Sequence, residues 1–535
     1  MTELLLADDL LETFFAPAAT DQIDVLISMY NQEKKLIQQV ADIVAGDLGG
    51  VIRYFLDGNQ LRESGYSSYS AEKIFRLPGA LACLDAYYWQ KAIALTDVRD
   101  AMPQKRRSEW DEQIRDMKTP EFTEETVRST LTHLLMSRST FFAERVDGIF
   151  RSLSKSHVTN VPEGFSKRMI MEHVINEWGS VDWTRAGYIN DLRCVIARFM
   201  GMEEPKHNAS TKLLDILKRT PGEWAQIDGN SLKIKVFKKG TVHLEVHPDM
   251  AWRLNSVLAS LYPAAIPSQF RSKPAKKPKD YVVMQKPLPY HVREALAGGK
   301  YFDATNNKRV VGRQTYEKRI NSFTFDFYLK SSIPQVFNET VKVLESIGGV
   351  LNDTEIWFDY NARDVIDEIV TTGLIPDHKS HQYYPTPDWL AQRAVDWAEV
   401  EDHHACLEPS AGQGAILNEL PNHNLQAVEL SELNAKVLES KGYKVTQGDF
   451  IAWSQQTPLA FDRIVMNPPF SEGRAKAHTE AALSLLAPDG VLVAILPASF
   501  KGKDFPSYTC EWSEVISNAF AGTSVSVVML KAINA

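Results

Sequence analysis

Apolar side chains in the first ~200 residues recur with the spacing that is typical of helices. Between Thr20 and Gly46 they return every three or four positions, with Thr20 or Asp21 as the cap and Gly46 as the stop signal. Their shared face consists of Ile23, Leu26, Ile27, Tyr30, Ile37, Val40 and Val44. Similar spacing predicts helices over Leu84–Met102 and Glu124–Leu153. The N-terminal part of the chain is therefore expected to be mainly helical.

The pattern changes to alternation of apolar and polar residues between Leu232 and Val246. Two alternating runs joined by Lys238-Lys239-Gly240 predict a β-hairpin. Its polar face is basic, and an ordinary solvated hairpin explains that face at least as well as a functional one does. We therefore predict a mainly helical α+β domain over residues 1–270, with a hairpin near residues 232–246.

The second half of the chain has a different pattern of apolar and polar residues. Residues 271–280 (RSKPAKKPKD) combine proline and lysine without periodicity and predict a basic linker, and a small α/β module is expected at 281–375. From His378 onward, short apolar strands alternate with helices, which predicts a parallel α/β sheet covered on both faces, in a domain over 376–535. The predicted strands are Ala405–Pro409, Gln426–Leu430, Lys444–Gly448, Asp462–Met466 and Gly490–Pro497.

Composition argues against several classes of protein. The 535 residues are 44% hydrophobic and 24% charged, as in an ordinary globular protein of about three domains. No apolar run approaches the ~18 residues of a membrane span, and the N-terminus lacks the pattern of a secretory signal, so we expect a cytoplasmic protein without membrane contact. The four cysteines lie far apart and form no CxxC pair, which disfavours a disulfide scaffold or a zinc ribbon.

The net charge of −9 is unevenly distributed. Residues 376–535 hold 11 basic and 19 acidic residues, whereas residues 251–325 hold 14 basic and 4 acidic ones. This basic stretch is the candidate for contact with a polyanion, although a solvated linker fits the same pattern equally well. The candidate residues for contact with a polyanion, which become the candidate DNA-binding residues if that polyanion is DNA, are Lys273, Lys276, Lys277, Lys279, Lys308, Arg309 and Arg313.

A glycine loop and two carboxylates predict a nucleoside-binding surface. Residues 408–414 (EPSAGQG) follow a predicted strand and open a predicted helix, where glycines let a ligand approach the backbone. Glu429 ends the next strand, and a carboxylate there can accept from both hydroxyls of a ribose. Asp449 ends the third strand beside Phe450, and it is positioned to receive the amino group of an adenine.

The sequence Asn467-Pro468-Pro469-Phe470 at the end of a strand predicts a site for an aromatic exocyclic amine. The two prolines remove two N–H donors and stiffen the backbone. The side-chain oxygen of Asn467 and the carbonyl of Pro468 remain as acceptors. Accepting both amine hydrogens tilts the nitrogen toward sp³ geometry and directs its lone pair at an electrophile. Phe470 supplies a face on which the base can stack.

These residues resemble a known family. The segment from Tyr383 to Ala535 is similar to class I S-adenosylmethionine-dependent methyltransferases that modify adenine N6 in nucleic acid. Residues 384–387 (YPTP) resemble the motif that closes over the methionine part of the cofactor, and residues 467–470 (NPPF) resemble the catalytic motif. The resemblance implies a Rossmann-like, seven-stranded domain, with the tail from Asn518 to Leu530 as its closing antiparallel hairpin. Upstream, the chain resembles an uncharacterised domain found ahead of such methyltransferases in phage and prophage proteins, on Leu153-Ser154, His157, Thr159-Asn160 and residues 165–170 (FSKRMI).

The resemblance also implies the cofactor and the site residues. The cofactor is S-adenosyl-L-methionine, and the catalytic residues are Asn467, Pro468, Pro469 and Phe470. The cofactor-binding residues are Tyr384, Thr386, Pro387, Glu408, Pro409, Ser410, Ala411, Gly412, Gly414, Glu429, Asp449 and Phe450. The pair His403-His404 is interpreted as a surface feature, and no metal is expected. Family members usually carry a sequence-reading domain after the catalytic one, so we expect the first ~375 residues to read the DNA, or the reading to be loose.

The leading interpretation is a phage-type methyltransferase for adenine N6 in duplex DNA, with the adenine flipped out of the helix and protection against restriction as its use. One alternative is an RNA methyltransferase acting on adenine N6 or guanine N2, because the same four residues suit either amine. A protein-glutamine methyltransferase has tyrosine in place of Phe470 and is disfavoured. A non-catalytic protein that only binds the cofactor is the alternative of a different class.

Overall fold

The structure is a computed structural model that divides into two compact units, Met1–Gln226 with Asn230–Val283, and Ile227–Gly229 with Met284–Ala535. The residues it describes are 20–46, 50–52, 54–55, 74–95, 98–262, 265–273, 287–311, 314–326, 328–375, 385–421, 423–470, 473–520 and 525–535. Among the helices of these residues, none combines the length and the apolar character that crossing a membrane requires.

The first unit is mainly helical; besides helical residues at 50–52 and 54–55, it contains the helices given next and one short 3₁₀ turn, Ser268–Arg271. The helices are α1 (Thr20–Ala45), α2 (Leu77–Ala94), α3 (Val98–Ala101), α4 (Gln104–Arg115), α5 (Glu124–Met136), α6 (Arg138–Ser152), α7 (Trp183–Phe199), α8 (Ala209–Leu217) and α9 (Pro248–Leu261). Tyr30, Trp89 and Phe122 form an aromatic centre between α1, α2 and α5. The Tyr30 hydroxyl donates to the Asp85 carboxylate at 2.7 Å, which satisfies a buried polar pair inside this core.

Two helix predictions need correction. Leu84–Met102 was expected as one helix, but α2 begins at Leu77, where Pro78 suits the first turn, and α3 is separate. Glu124–Leu153 is divided at Ser137 into α5 and α6. The Ser137 hydroxyl and backbone N–H both donate to the carbonyl of His133, so this serine ends α5.

Four strands form the sheet of the first unit in the order β1, β4, β3, β2. They are β1 (Arg168–Met171), β2 (Trp224–Ile227), β3 (Leu232–Val236) and β4 (Val242–Val246). The strands β3 and β4 pair antiparallel from Leu232↔Val246 to Val236↔Val242 and form the hairpin. One face is apolar and almost fully buried, and it consists of Leu232, Ile234, Val236, Val242, Leu244 and Val246.

The second unit begins with a small mixed layer of helices and strands. It contains a sheet of order β5, β8, β10, β9 and a separate two-stranded hairpin, β6–β7. The strands are β5 (Lys300–Phe302), β6 (Lys308–Val311), β7 (Gln314–Glu317), β8 (Ser322–Thr324), β9 (Val350–Asn352) and β10 (Glu355–Trp357). The helices are α10 (Tyr290–Gly298), α11 (Leu329–Ser332), α12 (Pro334–Glu345) and α13 (Arg363–Thr372).

A seven-stranded sheet follows, in the order β13, β12, β11, β14, β15, β17, β16. Its strands are β11 (Cys406–Glu408), β12 (Leu425–Glu429), β13 (Val445–Gln447), β14 (Phe461–Met466), β15 (Leu486–Pro497), β16 (Tyr508–Trp512) and β17 (Val527–Asn534). The first five strands of that order are parallel to one another, β17 runs antiparallel to β15, and β16 runs antiparallel to β17. The helices are α14 (Asp388–Trp397), α15 (Glu432–Ser440), α16 (Phe450–Ser454) and α17 (Arg474–Leu483), with 3₁₀ turns at Leu417–Glu419 and Ala498–Phe500.

Apolar cores cover both faces of this sheet, because its strands contribute alternate side chains to each side. In β14, Val465 belongs to one core, whereas Ile464 and Met466 belong to the other. The carboxyl ends of β11, β12, β13 and β14 lie at the same edge of the sheet, since parallel strands end together. This edge is where ligands of open α/β sheets bind.

Candidate active site

The loop after β11 approaches the end of β12 closely. Gly412 and Gly414 have φ angles of +54° and +89°, which glycine adopts without strain. The N–H of Gly412 donates to Glu429 Oε2 at 2.7 Å, and the N–H of Ala411 donates to the Val428 carbonyl at 3.1 Å. The predicted helix after this loop is wrong, because a single 3₁₀ turn follows and Pro421 stands where a helix would have to continue.

Glu429 holds this loop to the sheet. Its two oxygens accept at 2.7 Å from the backbone N–H groups of Gly412 and Ser431, and its side chain is buried. Ser431 in turn caps α15 by accepting from the N–H of Asn434. Burial raises the pKa of the Glu429 carboxyl, against the opposing effect of its backbone hydrogen bonds. The predicted ribose contact of this residue stays a prediction.

Glu408 is a buried carboxyl group at the end of β11. Its side chain is 2% exposed, and its Oε2 has no hydrogen-bond partner among the described residues. Burial first, and the nearby Glu429 second, raise the pKa of Glu408 well above its ordinary value. An unsatisfied buried oxygen is unfavourable unless a ligand group completes its hydrogen bonds. Glu408 therefore marks a polar ligand position.

The end of β13 leads directly into α16. Asp449 is exposed and caps this helix by accepting from the N–H of Ala452 at 2.9 Å, and Phe450 is buried beneath it. The carboxylate lies at the cavity that the glycine loop at residues 408–414 borders. Its contact with an adenine amino group stays a prediction.

His478 is a site residue that sequence reasoning missed. Its Nδ1 lies 3.2 Å from the Ser410 hydroxyl, and its ring centroid lies 5.5 Å from that of Phe450. Burial lowers the pKa of His478 to about 4, so the imidazole is neutral at pH 7. The sequence contained a sign of this residue, because His478 has helical spacing with Ala475, Thr479 and Ala482 on the buried face of the helix after residues 467–470.

Asn467 presents one buried acceptor to the cavity. Its Nδ2 donates to the Thr386 hydroxyl at 3.0 Å, which orients the amide. Its Oδ1 is buried and has no hydrogen-bond partner in the described part of the chain. Phe470 is partly buried, and its ring contacts Phe520 edge-on at a centroid distance of 6.1 Å.

The predicted site residues converge on one cavity of about 200 Å³. Its predicted lining residues are Thr386, Glu408, Pro409, Ser410, Ala411, Gly412, Glu429, Asp449, Phe450, Asn467, Pro468, Pro469 and Phe470, and it also contains Gln413, Arg474 and His478. Pro387 and Gly414 adjoin the cavity in sequence without lining it, and Tyr384 lies outside the described residues. No group of three potential metal ligands occurs among the residues that the structure describes.

The predicted DNA-binding residues that the structure describes do not line this cavity. Lys273 is exposed, and Lys308 forms an ion pair with Glu317 at 2.8 Å on the hairpin β6–β7. Arg309 belongs to β6, and its side chain is not described. The remaining candidates, Lys276, Lys277, Lys279 and Arg313, fall outside the described residues. Their role in DNA binding stays a prediction.

Two family models match the chain. Residues 411–505 match the "Methyltransferase small domain", and residues 81–264 match a "Domain of unknown function (DUF4942)". No curated protein matches the chain. The C-terminal part carries a class I methyltransferase-like fold, and S-adenosylmethionine is the cofactor of this class.

Solved structures with similar parts include TrmN from Thermus thermophilus, at 22% identity over 28% of this chain and 49% of TrmN, with a TM-score of 0.24. The chain thus spans about half the length of TrmN. The putative methyltransferase yhhF from Escherichia coli is 16% identical over 28% of this chain and 88% of its own, with a TM-score of 0.24. The 23S rRNA methyltransferase ErmE is 17% identical over 29% of this chain and 70% of its own, with a TM-score of 0.25.

The residues of the cavity fit S-adenosylmethionine. Glu408 provides a buried oxygen without a hydrogen-bond partner among the described residues, which suits a polar or cationic group of the cofactor. The loop at residues 409–412 lines the cavity, where its backbone can come close to the cofactor. Glu429 and Asp449 supply carboxylates at the ends of β12 and β13. These groups would hold the cofactor, and the Asn467 oxygen remains for a second ligand.

Proposed function

We propose that this protein transfers a methyl group from S-adenosylmethionine to the N6 amino group of adenine in DNA. The observation that carries the proposal is the buried Oδ1 of Asn467, which has no partner among the described residues and lines the same cavity as the glycine loop at residues 408–414. The amide is oriented by Thr386, so it presents an oxygen rather than an N–H at this position. An acceptor fixed in this way suits an amine donor.

The chain's own groups account for activation of the amine. The bound cofactor supplies a methyl group on a sulfonium, and the amine nitrogen becomes positively charged as it is methylated. Asn467 Oδ1 and the Pro468 carbonyl accept the two amine hydrogens and stabilise that charge with dipoles that are in place before the reaction. Neither oxygen is a strong base, so the proton leaves to water afterwards.

Phe470 supports the choice of a nucleobase as the second ligand. It lines the cavity with part of its ring exposed, and its edge contact with Phe520 holds the ring in place. A flipped adenine can stack on such a ring, which contributes about 1–3 kcal/mol. Extrusion of the base from a duplex costs a few kcal/mol, and stacking on Phe470 offsets part of this cost. The use we propose is modification of phage or prophage DNA against restriction.

The test is transfer of labelled methyl from S-adenosylmethionine to unmethylated duplex DNA, single-stranded DNA and total RNA, followed by nucleoside analysis. N6-methyladenine in DNA is the expected product, and its flanking sequence will show whether bases are read. Label confined to RNA, on adenine N6 or guanine N2, would replace DNA with RNA as the substrate. Absence of label from all three, with cofactor bound, would contradict the proposal.

A further inference from the structure

The sheet of the first unit has a polar outer face opposite its buried apolar one. Side chains alternate along β3 and β4, so Lys233 and Lys235 lie opposite Glu245 and His243 on the outer side. Arg168 of β1 pairs with Glu245 in register and joins the same face. We call this surface the basic sheet face; its residues are Lys167, Arg168, Trp224, Lys233, Lys235, Phe237, His243 and Glu245.

Cations outnumber carboxylates on this face. Glu245 accepts ion pairs from Lys167 at 3.1 Å and Arg168 at 3.2 Å, so its single charge is shared. Lys233 and Lys235 add two further cations, and the hairpin turn adds the exposed residues Lys238 and Lys239. At the end of β1, Glu172 pairs with His157 at 3.2 Å. The excess of positive charge favours a polyanionic partner.

Aromatic rings lie among these cations. Trp224 is 37% exposed, and its ring centroid lies 5.3 Å from Arg168 Cζ and 5.8 Å from Lys235 Nζ. Lys235 Nζ also lies 5.4 Å from the Phe237 ring, which contacts His243 at a centroid distance of 4.6 Å. Burial first, and the charges of Arg168, His157 and Lys235 after it, lower the pKa of His243. The face thus combines positive charges with partly exposed aromatic rings.

We propose that the basic sheet face binds single-stranded DNA, with Lys233 and Lys235 on phosphates and Trp224 stacked against an unpaired base. The choice of a single strand follows from the aromatic rings, because a base can stack on a side chain only when it is not paired within a duplex. The inference rests on the proposed function, because the bound strand is taken to be an unpaired segment of the DNA that the protein is proposed to methylate. It gives a role to the region that matches a domain of unknown function.

The experiment measures binding of the full chain to a fluorescent oligothymidylate of about 20 nucleotides, by anisotropy over a range of salt concentrations. This probe contains no adenine, so binding to it does not depend on the methylation site. Lys233→Ala with Lys235→Ala is expected to reduce the slope of log affinity against log salt by about 1.4, at about 0.7 per phosphate contact on a single strand. Trp224→Ala is expected to weaken binding about tenfold, whereas Trp224→Phe retains most of it.

A matched control lies on α2 of the same unit, where Lys91 Nζ is 4.3 Å from the ring of the exposed Tyr87. Lys91→Ala and Tyr87→Ala should leave both affinity and slope unchanged. Unchanged binding in the folded Lys233, Lys235 and Trp224 variants would overturn the inference, as would an equal loss in the control variants. Methyl transfer to DNA containing adenine is measured in parallel, so a failure of the proposed function is distinguished from a failure of this surface.

Discussion

At the scale of single residues, the cavity is defined by polar atoms whose hydrogen bonds are incomplete. Glu408 Oε2 and Asn467 Oδ1 are both buried and lack partners among the described residues. Glu429, by contrast, already accepts from two backbone N–H groups. Buried polar groups are normally satisfied, and these two exceptions line the same cavity, so they indicate where ligand atoms belong. The sequence motifs predicted these residues. Only the structure shows that the hydrogen bonds of the Glu429 carboxylate are made within the protein, whereas Glu408 Oε2 has no partner among the described residues.

His478 leads to a prediction about pH. Its pKa is lowered by burial to about 4 in the folded protein, against about 6.5 when unfolded. The unfolded state therefore binds the extra proton first as pH falls, and the folded protein loses stability below pH ~6.5. Between pH 7 and pH 5 the loss should be about 2 kcal/mol from this group. His478→Gln removes this contribution while offering Ser410 a hydrogen-bond partner.

The measurement compares urea unfolding of the wild type and His478→Gln at pH 7 and pH 5. Other titrating groups, including Glu408 and Glu429, are present in both proteins, so the difference isolates the histidine. An equal acid-induced loss of stability in the two proteins would mean that the imidazole is not held neutral by its surroundings.

At the scale of elements, the five strands predicted from apolar runs all overlap strands of the seven-stranded sheet. The strand β16 (Tyr508–Trp512) was not predicted, because an edge strand of sequence YTCEW lacks an apolar run. The predicted closing hairpin needs correction as well: its strands are β16 and β17, while Asn518 to Phe520 lie between them. His478 escaped prediction because it lies 68 residues from Ser410, and only folding brings the two together.

The hairpin of the first unit gives a prediction for stability. Gly240 has a φ of +84°, and a Cβ there would lie 2.0 Å from the carbonyl oxygen of Ile175. Gly240→Ala should therefore lower the free energy of unfolding by about 3 kcal/mol or more, from strain and steric overlap together. Gly222 is the matched control, because it has a φ of +92° and nothing within 4 Å of the corresponding position.

Gly222→Ala introduces a side chain at a positive φ angle without steric overlap, so it measures the cost of the backbone conformation alone. It should lower the free energy of unfolding by about 1 kcal/mol. Both variants are measured by urea unfolding with tryptophan fluorescence. Equal losses in the two variants would show that contact between the turn and Ile175 adds nothing to the backbone strain.

At the scale of the whole molecule, the two compact units predict two unfolding transitions. A ligand stabilises only the unit that binds it, by about 2.7 kcal/mol at a hundredfold excess over its dissociation constant. S-adenosylmethionine should therefore raise the midpoint of one calorimetric transition and leave the other unchanged. Glu429→Ala should weaken this shift, because the Gly412 loop loses its attachment to β12.

A shift in both transitions, or an undiminished shift in Glu429→Ala, would contradict this assignment of the cofactor site. Asn352→Ala serves as the control, since Asn352 is exposed on β9 in the same unit. Its shift should equal that of the wild type.

The central claim, that Asn467 holds and activates the amine, is tested most directly by the rate of N6-methyladenine formation in DNA by Asn467→Ala. The rate is expected to fall by about 10²–10³-fold, as for the loss of one preorganised polar group in an active site, with the cofactor-induced thermal shift retained. A rate near that of the wild type would contradict the account, because the buried Oδ1 would then have no part in methyl transfer.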